Sequence, residues 1–297
     1  MNRQSYELLH PEYMFIPKTG GEGAINDGDG TLYGCDQDWY RIEWRRRAGC
    51  GPVAATNILF YLQKKYGVDA IPYESGNIEE ALAAMNDVFT FVRPKRRGLH
   101  TVRRFVKGMC IFGRKYGLSI KYNYLNVPPR SDIRPTISEV VNFIQNGLNN
   151  DVPVAFLNLH AGEVEDQLDS WHWVTVIGLT KTGANTDVWP ADGADIRVAD
   201  VTADEIVGAA DGVDIRVADV TADAEAGAAD GAYSHAPYNG EDAYSHASYN
   251  GEDADSRVLL RYYDQSKSLE VDLGRWLSTT ERGGGFAYFC APSPRNP

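Results

Sequence analysis

The chain contains the stretch Ala48-Gly49-Cys50-Gly51-Pro52-Val53-Ala54-Ala55-Thr56-Asn57-Ile58-Leu59, in which a cysteine directly precedes the start of a helix. Proline is tolerated in the first turn of a helix because its missing N–H would have no intrahelical partner there. The small and apolar residues that follow predict a helix over about residues 51–65, and the free N–H groups and dipole at its start favour a thiolate over a thiol. The stretch therefore indicates a nucleophilic Cys50, although a small residue buried beneath the helix would give the same pattern.

A histidine far downstream supplies the second half of the pattern. The stretch Trp171-His172-Trp173-Val174-Thr175-Val176-Ile177-Gly178-Leu179 alternates and is rich in β-branched residues, which predicts a strand. A cysteine at a helix tip and a later histidine are the two parts that a cysteine acyl-transfer enzyme requires. Imidazole titrates near neutral pH, so His172 can pair with a thiolate or protonate a leaving amine. His160, at the end of an earlier strand, is the alternative base, and a lone histidine on a strand is also compatible with a structural role.

Length and composition limit the classes of protein to which the chain can belong. The chain has 297 residues, of which 43% are hydrophobic and 11% aromatic, which is typical of a globular protein with a sizeable core. Its four cysteines are irregularly spaced and indicate neither a disulfide framework nor a metal-binding pair. The first ten residues lack the apolar core of a secretory signal, and no apolar run approaches the ~18 residues of a membrane span. We expect a cytoplasmic location, where a reactive thiol stays reduced.

The net charge of −12 is concentrated in one segment. Residues 190–255 contain 16 acidic side chains and two arginines, whereas the rest of the chain holds 27 basic and 25 acidic residues. Within this segment, residues 192–204 recur as 211–223, and residues 232–242 recur as 243–253. Two copies are too few for a solenoid, and the segment offers little apolar surface to bury. We interpret it as a disordered acidic repeat insertion between two strands; calcium binding by its aspartates is a weaker alternative.

The predicted elements place helices before strands. An extended lead-in over residues 1–34 is followed by four helices and then by a series of strands. The helices cover about residues 51–65, 78–89, 100–116 and 137–148, and the strands about residues 118–124, 153–159, 171–180, 257–263, 268–273 and 286–290. This order is typical of an α+β fold, in which a helical half packs on an antiparallel sheet half. We expect one domain formed by residues 35–189 and 256–297, interrupted by the insertion.

The two quoted stretches together resemble a known family. Cys-Gly-Pro-x-Ala-Ala-x-Asn-Ile-Leu at residues 50–59, followed much later by His-Trp-Val-Thr-Val at residues 172–176, is similar to the bacteriocin-processing, double-glycine-type cysteine peptidases of the papain-like superfamily. The likeness covers the cysteine helix, the histidine strand and the strand pair after it, about a third of the chain. It implies a papain-like fold with the catalytic cleft between the helical and sheet halves, and Cys50 and His172 as nucleophile and base.

The resemblance also implies two further site residues. Papain-like enzymes of this group carry an Asp or Asn, at the end of the strand after the histidine strand, that orients the imidazole. That position corresponds to Asp264, although a turn-initiating aspartate would look the same and Asp272 is a weaker candidate. The family also uses a glutamine upstream of the cysteine, which stabilises the oxyanion together with the cysteine N–H. Gln37 is the only glutamine between residue 5 and Cys50, at a spacing longer than the common one.

The remaining cysteines and two basic clusters have simpler interpretations. Cys110 in a helix and Cys290 in a strand are expected in the core, and Cys35 is expected in a loop without a role of its own. We expect the basic clusters to be solvated faces, with docking of the acidic insertion or of an acidic peptide as the alternative. A nucleic-acid surface is disfavoured because the rest of the chain is near neutral. The clusters consist of Arg45, Arg46 and Arg47, and of Arg93, Lys95, Arg96, Arg97, Arg103 and Arg104.

We therefore expect a papain-like cysteine hydrolase that cleaves a peptide or isopeptide bond in a peptide or protein substrate, without a cofactor, metal, nucleic-acid or membrane partner. Its expected catalytic residues are Cys50, His172, Asp264 and Gln37. A transglutaminase-like or other Cys-His-Asp acyltransferase, in which an amine replaces water, has the same chain order. A catalytically inactive binding module on the same fold is the second alternative. The sequence does not define the oligomeric state.

Overall fold

The computed structural model describes residues 2–17, 31–95, 98–129, 133–183, 257–290 and 293–294. The acidic repeat insertion expected at residues 190–255 lies outside the described residues, so its predicted disorder stays a prediction. Arg96 and Arg97 of the second basic cluster also lie outside them.

The described residues form six α-helices, four of which the sequence predicts to within about two residues at each end. They are α1 (Glu43–Ala48), α2 (Cys50–Tyr66), α3 (Ile78–Phe91), α4 (Val102–Lys115), α5 (Ile137–Asn149) and α6 (Leu273–Thr279). The four predicted helices are α2 to α5. Side chains of Asn77, Thr101 and Thr136 cap α3, α4 and α5, each accepting a backbone N–H three residues further on.

The strands form one large sheet and two small ones in the described part of the chain. They are β1 (Asn2–Glu7), β2 (Phe15–Pro17), β3 (Thr31–Tyr33), β4 (Leu118–Ser119), β5 (Tyr122–Val127), β6 (Val154–Asn158), β7 (His172–Gly183), β8 (Arg257–Asp264), β9 (Lys267–Asp272), β10 (Gly284–Phe289) and β11 (Ser293–Pro294). The large sheet has the order β5-β10-β6-β7-β8-β9, and β1 also pairs with β7. All of its pairings are antiparallel. Helices combined with an antiparallel sheet confirm the predicted α+β class.

Strand β7 is the central element of this sheet. It pairs with β8 along one edge, and along the other edge with β6 through residues 172–176 and with β1 through residues 178–183. The sequence does not predict β1, because residues 2–7 are mostly polar and do not alternate with apolar residues. The extended lead-in expected over residues 1–34 therefore begins with a strand that is part of the main sheet.

Two predicted strands differ from those observed. The strand expected over residues 118–124 is divided into β4 and β5. The strand expected over residues 268–273 ends at Asp272, whose side chain accepts the backbone N–H of Arg275 at 3.0 Å and so caps α6. Asp272, the weaker candidate for orienting the histidine, is a helix cap instead.

Helix α2 packs against both β7 and α3. Its residues from Gly51 to Leu62 are buried, so the helix is covered on more than one face. Beside it, Trp173 of β7 stacks on Phe105 of α4 with ring centroids 4.3 Å apart. The helix that starts at Cys50 is thereby held against the strand that starts at His172. None of the helices in the described ranges is both long and apolar enough to cross a bilayer.

Candidate active site

Cys50 is the first residue of α2, and its side chain is half-buried. Gly49 occupies the position before the helix, and no side chain among the described residues caps this helix end. In the first turn, Pro52 has no N–H, and the N–H of Val53 donates to the carbonyl oxygen of Gly49 at 2.9 Å. The start of the helix is also crowded, since a Cβ on Gly51 would lie 2.7 Å from Cδ2 of Leu99.

His172 and Asp264 meet because their strands are antiparallel neighbours. His172 is the first residue of β7 and Asp264 is the last residue of β8, so the start of one strand lies beside the end of the other. Nε2 of His172 lies 2.8 Å from Oδ1 of Asp264. The two side chains are only 7% and 14% exposed, so water screens their interaction weakly.

The side chain of Cys50 also lies close enough to the His172 ring to raise the pKa of the imidazole. Since Nε2 faces Asp264, Nδ1 is the ring nitrogen left for the thiol. Burial alone would lower the pKa of His172, but the hydrogen bond to Asp264, the negative charge of Asp264 and the interaction with Cys50 raise it to about 10. A protonated ring beside Asp264 is thus the favoured state of His172 at neutral pH.

Asn57, for which the sequence predicts no role, joins the cysteine helix to the histidine strand. Its Oδ1 accepts the backbone N–H of Cys35 at 2.8 Å, and its Nδ2 donates to Oγ1 of Thr175 at 3.3 Å. Asn57 is buried in α2, and Thr175 lies on β7. A buried amide with partners on both sides fixes the position of Cys50 relative to His172.

Gln37 lies in a short 3-10 helix, Gln37–Trp39, that is held alongside the start of α2. On one side, the backbone of Cys35 is bonded to α2 as described above. On the other side, Tyr40 packs so closely that a Cβ on Gly49 would lie 2.5 Å from its Cε2. Oε1 of Gln37 is buried and has no hydrogen-bond partner among the described residues. No hydrogen bond joins Gln37 to Cys50 in this part of the chain, so the oxyanion role of Gln37 stays a prediction.

A second carboxylate lies near the base. Asp36 accepts the backbone N–H of Asp38 at 2.9 Å. Burial raises the pKa of Asp36, the N–H of Asp38 opposes this, and the negative charges of Asp38 and Asp264 raise it further. Asp36 and Trp39 line an open depression of about 680 Å³ together with the turn that follows Asp264. The carboxylate end of the Cys-His-Asp cluster is therefore bordered by a surface depression.

The other three cysteines differ from Cys50 in their surroundings. Cys35 and Cys110 are buried. Burial raises the pKa of both thiols, that of Cys110 to about 11. Cys110 lies in α4, which confirms its predicted place in the core. Cys290 follows β10, packs against the core while remaining half-buried, and its Sγ accepts a hydrogen bond from Nδ2 of Asn123 at 3.8 Å.

His160, the alternative base, bonds to a loop instead. Its Nδ1 accepts the backbone N–H of Glu281 at 3.2 Å, and its carbonyl oxygen accepts Oγ1–H of Thr280 at 2.6 Å. These bonds attach the segment after β6 to the segment before β10.

The arginines before Cys50 also make contacts within the fold. Nη1 of Arg46 donates to the carbonyl oxygen of Tyr40 at 3.1 Å. Arg47 pairs with Glu43 at 2.7 Å, and both side chains are largely exposed. Arg45 is half-buried, with its guanidinium carbon 4.9 Å from the centroid of the Phe89 ring, and Arg46 is also half-buried, so of the three arginines Arg47 alone is largely exposed.

Comparison of the chain with models of known protein families gave no match, and comparisons with curated proteins and with solved structures gave none either. Across the described ranges, no group of three or more His, Cys, Asp or Glu side chains is placed to hold a metal ion. The chemistry of the site is therefore inferred from its geometry.

Proposed function

We propose that the chain is a cysteine hydrolase of papain-like architecture that cleaves a peptide or isopeptide bond through an acyl-enzyme. The observation that carries the proposal is that three residues far apart in the sequence come together: His172 is bonded to Asp264 and lies near Cys50. A half-buried thiol at a helix start, a base near it and a carboxylate behind the base are the parts that nucleophilic acyl transfer requires. A buried histidine that served only the core would need no such thiol partner.

In the proposed reaction, the thiolate of Cys50 attacks the carbonyl carbon of the scissile bond. The negative charge that develops on the carbonyl oxygen is stabilised by the backbone N–H of Cys50, with the Gln37 side chain as the proposed second donor. The tetrahedral intermediate then breaks its C–N bond, and the His172 imidazolium donates the proton on Nδ1 to the leaving amine. Asp264 keeps the ring oriented through Nε2.

Deacylation reverses these proton movements. Neutral His172 takes a proton from a water molecule as the water oxygen attacks the thioester carbonyl. The C–S bond breaks, the carboxylic acid product leaves, and the pair of Cys50 thiolate and His172 imidazolium is restored. The proposed substrate cleft lies where the helical half meets the sheet half. This placement is supported by Cys50 coming from α2 while both of its partners come from neighbouring strands of the sheet.

The acyl-enzyme can be tested with p-nitrophenyl acetate, a small acyl donor that needs no specific peptide contacts. We expect a burst of p-nitrophenolate close to one equivalent, with the acetyl group mapped to Cys50 by mass spectrometry. Cys50→Ala and His172→Ala should each abolish the burst, and the double variant should be little worse than either, because the residues act as one unit. His160→Ala is the matched control and should retain the burst.

Peptide-bond cleavage is then measured with a pool of internally quenched peptides, using the same variants. Circular dichroism establishes that each variant is folded. A His172→Ala protein with near-full activity would contradict the proposal and move the base elsewhere. Transfer of the acetyl group to amines with no release to water would favour the acyltransferase alternative.

A further inference from the structure

Trp171, directly before His172, has two unusual properties. Its side chain is 49% exposed, although tryptophan usually buries most of its surface. Its φ is +59°, in the left-handed region that bulky residues rarely adopt. Conformational strain of this kind is retained where the surroundings impose it, and it is concentrated at ligand sites.

Arg282 covers part of the exposed indole. Its guanidinium carbon lies 5.2 Å from the centroid of the Trp171 ring. The Arg282 side chain is exposed, and within the described residues no carboxylate lies within salt-bridge distance of it. Trp171 and Arg282 therefore present a flat apolar surface and an uncompensated positive charge at the start of the strand that carries His172.

The loop that carries Arg282 is fixed in place. Thr280 and Glu281 are bonded to His160, as described above, and Nη2 of Arg134 donates to the carbonyl oxygen of Glu281 at 3.2 Å. A cation on an anchored loop loses less conformational entropy when a ligand binds than one on a flexible tail.

The proposed chemistry indicates which part of a substrate meets this surface. His172 must reach the leaving amine to protonate it, so the leaving part of the substrate lies against His172 and its neighbours. The Cα atoms of Trp171 and His172 are about 3.8 Å apart, as in any trans peptide. Guanidinium groups bind carboxylates through charge-assisted hydrogen bonds, and an indole face covers an apolar or planar group.

We propose that Trp171 and Arg282 form the leaving-group subsite and select a leaving amine that carries a carboxylate. This inference rests on the proposed function and specifies its substrate class. The carboxylate is either an acidic side chain on the residue after the cleaved bond or the free C-terminus of that residue.

Amine capture tests the subsite without the natural substrate. The acetyl-enzyme formed from p-nitrophenyl acetate is offered amines that compete with water, because an incoming amine occupies the position that a leaving amine vacates. Aspartic acid α-amide is compared with asparagine α-amide for a side-chain carboxylate, and alanine with alaninamide for a C-terminal carboxylate. The N-acetylated products are measured by mass spectrometry. Comparison of each ratio between protein variants cancels the intrinsic reactivity of the amines.

Arg282→Gln is expected to reduce the preference for one carboxylate amine about fivefold, the upper range for an exposed ion pair. Trp171→Asn, which tolerates the left-handed backbone, should reduce capture of all four amines. Arg275→Gln is the matched control, because it removes the same charge from a residue that is already paired with Glu163 at 3.1 Å. It should leave both ratios unchanged and keep the burst of the unmodified chain.

The possible outcomes distinguish a failure of the leaving-group subsite from a failure of the proposed acyl-enzyme reaction. A change confined to the aspartic acid pair indicates an acidic side chain, and one confined to the alanine pair indicates a free C-terminus. Unchanged ratios in Arg282→Gln, or no amine capture by a protein with a normal burst, would overturn the subsite while the proposed function stands. Absence of a burst on Cys50 in the unmodified chain would instead remove the proposed function, and the subsite with it.

Discussion

Replacing Asp264 by asparagine should lower the pKa of His172 while leaving the shape of the site nearly unchanged. Asparagine keeps an oxygen that can accept the Nε2–H of His172, but it removes the negative charge 2.8 Å away. The pKa of His172 is about 10, against an ordinary 6.5, which corresponds to on the order of 5 kcal/mol in favour of the imidazolium. Asp264 and Cys50 share this stabilisation. We expect the variant to lower the pKa of His172 by about one to two units.

The charge on His172 can be followed by the alkylation of Cys50 with two reagents. Iodoacetate is an anion and is attracted to a thiolate that has a cationic neighbour, whereas iodoacetamide is neutral. The ratio of the two rates should therefore fall as the imidazolium loses its proton. This fall is expected near pH 10 in the unmodified protein and about one to two pH units lower in Asp264→Asn.

Asp272→Asn is the matched control, since it makes the same substitution at a carboxylate that caps α6. Asparagine is an equally good helix cap, so this variant should keep the pH profile of the unmodified protein. An Asp264→Asn profile that coincides with both would refute the argument that Asp264 stabilises the imidazolium.

Three further predictions concern stability. Asn57→Ala removes two bonds of a buried amide and should lower the free energy of unfolding by about 1–3 kcal/mol in urea denaturation; an unchanged value would contradict its role in joining α2 to β7. Because the pKa of His172 is higher in the folded protein, its contribution to stability is complete below about pH 6.5 and is lost as the pH rises to about 10. The unfolding free energy should therefore fall over that range, and a fall of the same size in His172→Gln would assign it to other groups. Deletion of residues 190–255 should leave thermal melts within a few degrees of the full chain, because Thr182 pairs with Arg257 and a short loop can join the two strands; a deletion that does not fold would show that these residues pack on the domain.

The sequence predicts the helices that combine a periodic apolar face with a start signal. Thr136 and Glu139 are an example, since their spacing predicts the capping box that begins α5. Strand β1 could not be predicted in the same way, because its polar residues are held by pairing with β7 and not by an apolar pattern of their own. The sequence does not predict helix α1 either, because its three arginines leave no apolar periodicity.

The residues of the candidate site also differ in whether a local sequence signal identifies them. Cys50 and His172 are identified from residue type and local context, and Asp264 from the resemblance together with its place at a strand end. Asn57 could not be assigned a role, because its partners Cys35 and Thr175 come from separate segments that only the folded chain brings together.

The left-handed backbone of Trp171 is another feature that no pattern of residue types reveals. The segment directly before Trp171 is held by side chains and backbone near the end of β6: Asn158 donates to the carbonyl oxygen of Asp169, and Oγ of Ser170 accepts the N–H of Ala161.

The most direct test of the Cys50–His172–Asp264 cluster is competitive alkylation of the four cysteines in one sample. Folded protein is treated briefly with iodoacetamide at neutral pH, and the extent of labelling at Cys35, Cys50, Cys110 and Cys290 is mapped by mass spectrometry. We expect Cys50 to be labelled far faster than the other three, and His172→Ala to remove most of that advantage. Labelling of Cys35 or Cys110 at a rate comparable to that of Cys50, or an unchanged Cys50 rate in His172→Ala, would contradict the assignment of Cys50 as the nucleophile activated by His172.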